Sequence, residues 1–263
     1  MNHDEFQRFI RQQGEERYRD MPWRRDTRPY YVLVSELMLQ QTQVDRVIPK
    51  FENFIAEFPD EQTLAISPLA NVLRLWQGLG YNRRAKFLHE SAKRIVELGS
   101  FPTDEAGLVA LPGVGKNTAG AVMAYAYNQP AIFIETNVRA VYIHHFFSNS
   151  ELVDDKDIHE LLVQTIDQER PREFYWALMD YGSYLKKQGV TPERSRHYKK
   201  QSPLKGSVRE VRGRIIAELI TRDLTFDRLR RIVGDDGRFE LALDGLTHDG
   251  LVVRNGNQIH LTA

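Results

Sequence analysis

Apolar residues recur every three or four positions through most of the first two hundred residues. Val32, Leu33, Leu37 and Met38 form one such set, Val47, Ile48, Phe51 and Ile55 a second, and Leu73, Leu75 and Trp76 a third. That spacing places each set on one face of a helix and predicts amphipathic helices around a shared core. Pro22, Pro29, Pro49, Pro59, Pro68, Pro102, Pro112, Pro130 and Pro171 punctuate the pattern, so the helices are short and joined by tight turns. Residues 103–110 predict a short capped helix and residues 117–127 another. Residues 131–135 read as an extended, buried approach to a helix that starts at Thr136 or Asn137 and runs to Phe147.

The pattern changes near residue 190. Residues 189–206 are rich in Pro, Ser, Lys and Arg and read as a linker or basic loop. Helical spacing returns over 208–220, 226–233 and 239–248. The chain then alternates around Asn255-Gly256-Asn257, which predicts a β-hairpin of residues 251–253 and 259–261. Three helices and a hairpin form a winged-helix-like pattern. The expectation is a mainly α protein, with a helical domain over 1–200 and a small winged-helix-like module over 207–263.

Composition narrows the chemistry. The chain has 263 residues, 41% of them hydrophobic, enough for a sizeable core. It shows no signal-like start and no apolar run of membrane-spanning length, so a soluble, cytoplasmic protein without membrane contact is expected. Cysteine is absent. That rules out disulfides, a thiolate nucleophile and a cysteine-held zinc or iron–sulfur site. Net charge is zero, but its distribution is uneven. Lys186, Lys187, Arg194, Arg196, Lys199, Lys200, Lys205, Arg209, Arg212 and Arg214 form one basic stretch; Arg83, Arg84, Lys86, Lys93 and Arg94 form another. Such clusters suit a nucleic acid and equally suit a solvated face.

Three segments carry candidate chemistry. Residues 111–118 read Leu-Pro-Gly-Val-Gly-Lys-Asn-Thr. Gly113 and Gly115 permit a tight turn, the following helix start offers backbone N–H groups to an anion, and Lys116 adds a positive charge. A ligand-free helical joint fits the same residues. Glu36 lies among apolar neighbours, where burial raises a carboxyl's pKa and lets it act as a general acid; a surface glutamate is the alternative. Glu135 precedes a helix start, where the dipole should keep it ionised; simple capping is the alternative. One neutral and one ionised carboxyl suit glycosidic cleavage through an oxocarbenium-like state. Adjacent His144 and His145 point to different sides of a helix and do not make a chelating pair, and no metal site is expected.

Four segments, taken together, resemble a known family. They are Leu37-Met38-Leu39-Gln40-Gln41-Thr42-Gln43-Val44, Gly78-Leu79-Gly80-Tyr81, Leu111-Pro112-Gly113-Val114-Gly115 and Asn137-Val138-Arg139. Their order and spacing are similar to the helix-hairpin-helix DNA glycosylases, and the first looks most like the MutY-type adenine DNA glycosylases. The resemblance covers about residues 5–190. It implies that Glu36 protonates the adenine ring nitrogen, and that Gln40, Gln41 and Tyr81 contact DNA, with Gln40 and Tyr81 pushed into the base stack. It further implies that Leu111, Gly113, Val114, Gly115, Lys116, Asn117 and Thr118 grip phosphate, with a monovalent cation at the hairpin. Trp23, Arg24, Asn137 and Asp180 match positions around the extrahelical base. Base flipping gives these groups a common purpose, since a base must leave the duplex before it is excised.

Four departures qualify the resemblance. Glu135 stands where the family has a catalytic aspartate. Asn117 stands where bifunctional relatives carry a Schiff-base lysine, which implies a monofunctional enzyme. The four cysteines that hold a [4Fe–4S] cluster after the segment matching Tyr181-Gly182 are missing, so no iron–sulfur cluster and no required cofactor are expected. The usual lesion-reading C-terminal domain is replaced by the winged-helix-like module. The expectation is a monomeric, nucleoid-associated glycosylase acting on duplex DNA with a mismatch or lesion, most simply adenine opposite 8-oxoguanine or guanine. A thymine or uracil mismatch glycosylase, or a non-catalytic DNA-binding protein on the same fold, remain as alternatives.

Overall fold

The computed structural model describes residues 2–148, 150–190, 192–198, 203–234 and 236–262; Lys199 and Lys200 of the basic stretch fall outside them. In chain order the helices are α1 (His3–Arg17), α2 (Pro22–Arg25), α3 (Pro29–Leu39), α4 (Val44–Glu57), α5 (Glu61–Ile66), α6 (Leu69–Trp76), α7 (Arg83–Leu98), α8 (Glu105–Val109), α9 (Lys116–Tyr125), α10 (Thr136–Phe146), α11 (Asp155–Thr165) and α12 (Pro171–Lys187). After a 3-10 turn at Pro192–Arg194 come α13 (Val208–Leu219), β1 (Leu224–Thr225), α14 (Phe226–Val233), α15 (Arg238–His248), β2 (Val252–Asn255) and β3 (Gln258–Leu261). Helix starts follow their caps. Asn2 and Glu5 close a capping box on α1, Asp60 accepts from the Thr63 N–H at 2.8 Å on α5, and Ser207 caps α13.

The described chain divides into two compact units. The first comprises Met1–Leu33, Pro102–Ala110 and Val114–Lys200. In it α12 packs against α1 and α10. Gly182 makes the second contact possible: a Cβ there would lie 2.5 Å from the Asn137 carbonyl oxygen, so only glycine lets α12 lie against the first turn of α10. The segment before α10 is extended, and Tyr175 fixes it. Its ring stacks on Phe133 with centroids 4.0 Å apart, and its hydroxyl donates to the Ala131 carbonyl at 2.8 Å while accepting from the Phe133 N–H at 3.2 Å.

The second unit comprises Val34–Phe101, Leu111–Gly113 and Gln201–Ala263. Its helical part closes over Phe51, Phe54, Phe58 and Trp76, all fully buried or nearly so. The C-terminal residues form a helical triad of α13, α14 and α15 with a three-stranded antiparallel sheet in the order β1-β3-β2. Val252 pairs with Leu261 and Arg254 with Ile259, while Leu224 of β1 pairs with Ile259 from the other side. Asp249 ties this part to α7. Its carbonyl accepts from Lys86 Nζ at 2.8 Å, and its carboxylate meets Arg83 at 3.7 Å and Arg212 closely.

Candidate functional site

Glu36 sits one turn from the C-terminal end of α3, in the second unit. It is half-buried, between Ser35, Leu37 and Met38, which are buried. The end of this helix leaves carbonyls without intrahelical partners. Arg84 of α7 supplies them. Its Nη1 donates to the carbonyls of Leu37 at 2.6 Å, Met38 at 3.1 Å and Gln40 at 2.5 Å. Its Nη2 donates to Leu79 at 3.3 Å and Gly80 at 3.1 Å, and to Thr42 Oγ1 at 3.2 Å. One guanidinium thus joins the end of the Glu36 helix to the loop carrying Gln40 and Gln41 and to the loop carrying Tyr81. Burial pushes Arg84 down to about 10, so it remains a cation at neutral pH and complements the negative end of the helix dipole.

Arg84 fits neither a solvated face nor a nucleic-acid face, the two readings open for its cluster: only 7% of its surface is exposed. The signal was present in the helical spacing, since Arg84, Leu88, Ala92 and Ile95 fall on one buried face of α7. Gln41 and Tyr81, at φ 57° and 48°, lie in the left-handed region that bulky residues rarely occupy. A cavity of about 490 Å³ opens beside them, lined by Gln40, Gln41, Tyr81, Arg83, Arg209 and Arg212 among others. Gln40 and Gln41 are exposed at its edge and Tyr81 is partly exposed.

Residues 111–115 lie in the turn between α8 and α9, and Lys116, Asn117 and Thr118 open α9. Leu111 and Val114 are buried; Gly113, Gly115, Lys116 and Asn117 are exposed; Thr118 is buried. Gly113 has φ 73°, and a Cβ there would lie 2.6 Å from the Phe87 side chain, so it is required on both counts. Ser91 Oγ donates to the Pro112 carbonyl at 2.8 Å and braces the turn. Gly115 precedes α9 with no side-chain cap. Asn117 Nδ2 donates to the Ile134 carbonyl at 3.2 Å.

Glu135 directly precedes the first turn of α10 in the first unit. The helix dipole was expected to keep it ionised. Burial pushes the carboxyl above its usual range, against the pull of Arg139 and of the Thr136 N–H, so the charged form is favoured less than the helix dipole alone implies. Arg139 is itself held by Asp155 through bonds of 2.7 and 2.6 Å, so its charge is shared.

The residues expected around an extrahelical base come together in the same unit. Arg24 donates to both oxygens of Asp180, at 2.7 and 3.0 Å, and Arg19 Nε adds a third bond at 2.6 Å. The Asp180 side chain is only 1% exposed. Trp23, on the same short helix as Arg24, is buried. Asn137 Nδ2 donates to the carbonyl of Met179, next to Asp180, at 3.0 Å, while its Oδ1 is buried without a hydrogen-bond partner among the described residues. Arg19 belongs to no recognisable motif, and the sequence marks Arg84 only as one member of a basic cluster.

The segment after α12 does not fit an iron–sulfur cluster. It contains no thiolate. Arg194 Nη1 in that segment donates to the carbonyls of Phe147, Ser148 and Ser150 at 2.8, 2.9 and 3.2 Å, and Val153 bridges to Ser195. Among the described residues no cluster of three or more His, Cys, Asp or Glu side chains is arranged to hold a metal ion. His145 packs against Phe6, Phe9 and Tyr181, and burial followed by the neighbouring His144 pushes it down to about 4. No helix among those residues is long and apolar enough to cross a membrane.

Residues 34–167 match the model of the HhH-GPD superfamily of base excision DNA repair proteins. An adenine DNA glycosylase of Mycobacterium tuberculosis is 33% identical over 264 residues, covering 90% of this chain and 86% of the relative. One from Buchnera aphidicola subsp. Baizongia pistaciae is 39% identical over 171 residues, 63% of this chain and 48% of the relative. The chain thus spans about half the length of some curated relatives it matches and most of another. A solved thermostable thymine-DNA glycosylase superposes with a TM-score of 0.64 at 27% identity, covering 69% of this chain and 86% of that one.

Proposed function

The chain belongs to the HhH-GPD superfamily of base excision DNA repair proteins, and from that premise we propose that it is a monofunctional DNA glycosylase that removes adenine opposite 8-oxoguanine or guanine. The observation that carries the reading is the Arg84 clamp, which binds the end of the Glu36 helix to both loops bearing Gln40, Gln41 and Tyr81. An acid and a base-stack wedge fixed to one cation suit an enzyme that must hold a base out of the duplex while protonating it. The substrate preference rests on the similarity to adenine DNA glycosylases.

In this reading Glu36 donates a proton to the adenine ring, and the neutralised base leaves with the bonding electrons. Glu135, in its ionised form, stabilises the oxocarbenium character left on the sugar, and water completes the hydrolysis. Trp23, Arg24, Asn137 and Asp180 shape the wall against the extracted base; the Arg24–Asp180 pair gives that wall rigidity. The turn from Leu111 to Thr118 presents N–H groups and Lys116 to a phosphate, and backbone carbonyls there are the oxygen donors for a monovalent cation. The protein acts as a monomer on mismatched or damaged duplex DNA, with residues 207–263 as a winged-helix-like accessory.

A second reading, excision of thymine or uracil opposite guanine, has its support in the similarity to the thymine-DNA glycosylase. Single-turnover assays on duplexes carrying A:8-oxoG, A:G, T:G, U:G and A:T pairs separate the possibilities. Adenine release from the first two supports the proposal. Release of thymine or uracil alone establishes the second reading, and binding with no release from any duplex leaves a non-catalytic DNA-binding protein.

A further inference from the structure

Tyr81 holds an unfavourable backbone conformation, φ 48°, between the flexible Gly80 and the start of α7. A bulky residue stays in the left-handed region only where its surroundings hold it. Two guanidinium groups do so. Arg84 lies 5.4 Å from the centre of the Tyr81 ring and is fixed by its backbone acceptors. Arg209 lies 5.1 Å from the same centre and its Nη1 donates to the Tyr81 hydroxyl. Arg209 comes from the first turn of α13, more than a hundred residues along the chain. That turn is itself secured: Ser207 caps it, and Arg212, one turn on, meets Asp249, whose carbonyl takes the Lys86 ammonium.

We propose that Arg209 is a positioning residue for the Tyr81 wedge, through which the C-terminal module sets how stringently the base opposite the excised one is read. This rests on the glycosylase reading above for its consequence, and on the Arg209–Tyr81 geometry for its cause. A guanidinium bonded to the phenol oxygen and stacked on the ring restricts the ring to one orientation. A wedge of fixed orientation meets one shape of opposite base well and others poorly, and a loose wedge accommodates several. The effect belongs to discrimination and leaves the proton transfer from Glu36 unchanged.

The test uses the full chain. With 3-fluorotyrosine at position 81, the 19F spectrum reports the ring directly and without DNA. Arg209→Ala is expected to narrow and shift that resonance, and Arg209→Lys to do so less. An unchanged resonance in Arg209→Ala overturns the proposal. In single-turnover excision, Arg209→Ala is expected to lower the ratio of rates on A:8-oxoG and A:G by about tenfold, the worth of one charged contact. Tyr81→Phe should lower the same ratio, and the double variant should lose no more than Arg209→Ala alone. Additive losses, or a fall in thermal midpoint with the ratio intact, show a merely structural arginine and sink the idea. If the unaltered chain releases no base from any duplex, the functional reading falls, and the 19F comparison still decides whether Arg209 holds Tyr81.

Discussion

Arg24 and Asp180 form a buried, two-pronged ion pair, with donor–acceptor distances of 2.7 and 3.0 Å and side chains 2% and 1% exposed. The pair joins the short helix α2 to the middle of α12. Breaking such a pair from one side leaves a charge stranded in the interior, at a cost of roughly 3–5 kcal/mol. Asp180→Asn is therefore expected to lower the urea midpoint steeply. Asp20→Asn is the matched control, because Asp20 and its partner Arg25 are both more than half exposed. An exposed pair is worth about 0–1 kcal/mol. Equal losses in the two variants would show that burial of the Arg24–Asp180 pair is unimportant.

Removing the Arg84 guanidinium should damage stability and function together. Arg84→Met leaves several buried carbonyls without their donor, at a cost of roughly 3 kcal/mol or more. Arg84→Lys keeps the charge but offers three donors in place of a planar fork of five, so it should recover only part of the loss. Both are read by denaturant unfolding beside excision rate. A lysine variant equal to wild type in both would mean that charge alone suffices.

Much of this arrangement was legible in the chain, and what was hidden has physical reasons. The apolar spacing around Glu36 and the Asn255-Gly256 turn are local signals, and α3 and the β2–β3 hairpin follow from them. Arg84 fell on the apolar face of α7, so its burial was readable. Its role as a cap was not, because its acceptors lie at residues 37–42 and 79–80, far along the chain. The upward shift of Glu135 was hidden for a related reason. A helix start is visible locally, whereas the burial that opposes its dipole is produced by the tertiary fold. Strand β1 spans only Leu224–Thr225, too short for any alternation to show. The tie from Asp249 to Lys86 has no sequence signature either.

Glu36→Gln should abolish excision and leave duplex binding nearly intact. The amide has almost the same shape but cannot donate the required proton. General acid catalysis of this kind contributes roughly 10²–10⁴-fold. A variant with a near-normal single-turnover rate would remove Glu36 from the mechanism.

Glu135 carries a pH signature whose sign can be worked out. Burial holds its carboxyl above the usual range in the folded protein. Between its ordinary value in the unfolded chain and its raised value in the fold, the folded state binds more protons. Stability contributed by this group therefore falls as pH rises through that window, and the penalty is complete above the raised value. Glu135→Gln should remove the penalty and match or exceed wild-type stability at neutral pH, while costing roughly 3–4 kcal/mol in the barrier to excision. The wild-type rate should fall on acidification at a pH above the ordinary carboxylate range, as Glu135 gains its proton. A stability loss in Glu135→Gln at neutral pH, or a rate unaffected by it, would contradict this account.

Strand cleavage should require added alkali or heat. Asn117, whose amide is bonded to the Ile134 carbonyl, cannot form a Schiff base with the sugar. Borohydride should therefore trap no covalent DNA complex. A trapped complex that disappears in Lys116→Ala would show that the neighbouring amine does the work.

The clip made by Arg194 has a consequence for how this protein meets a changing cell. A guanidinium bonded to the carbonyls of Phe147, Ser148 and Ser150 assembles as the chain folds and needs nothing delivered to it. A loop closed around iron and sulfide through thiolates would depend on a supply of both and would be open to oxidation. A hydrogen-bonded clip has no sulfur ligand to oxidise and no metal to lose. The Arg194 contacts are therefore expected to persist where iron is scarce or oxidants are abundant.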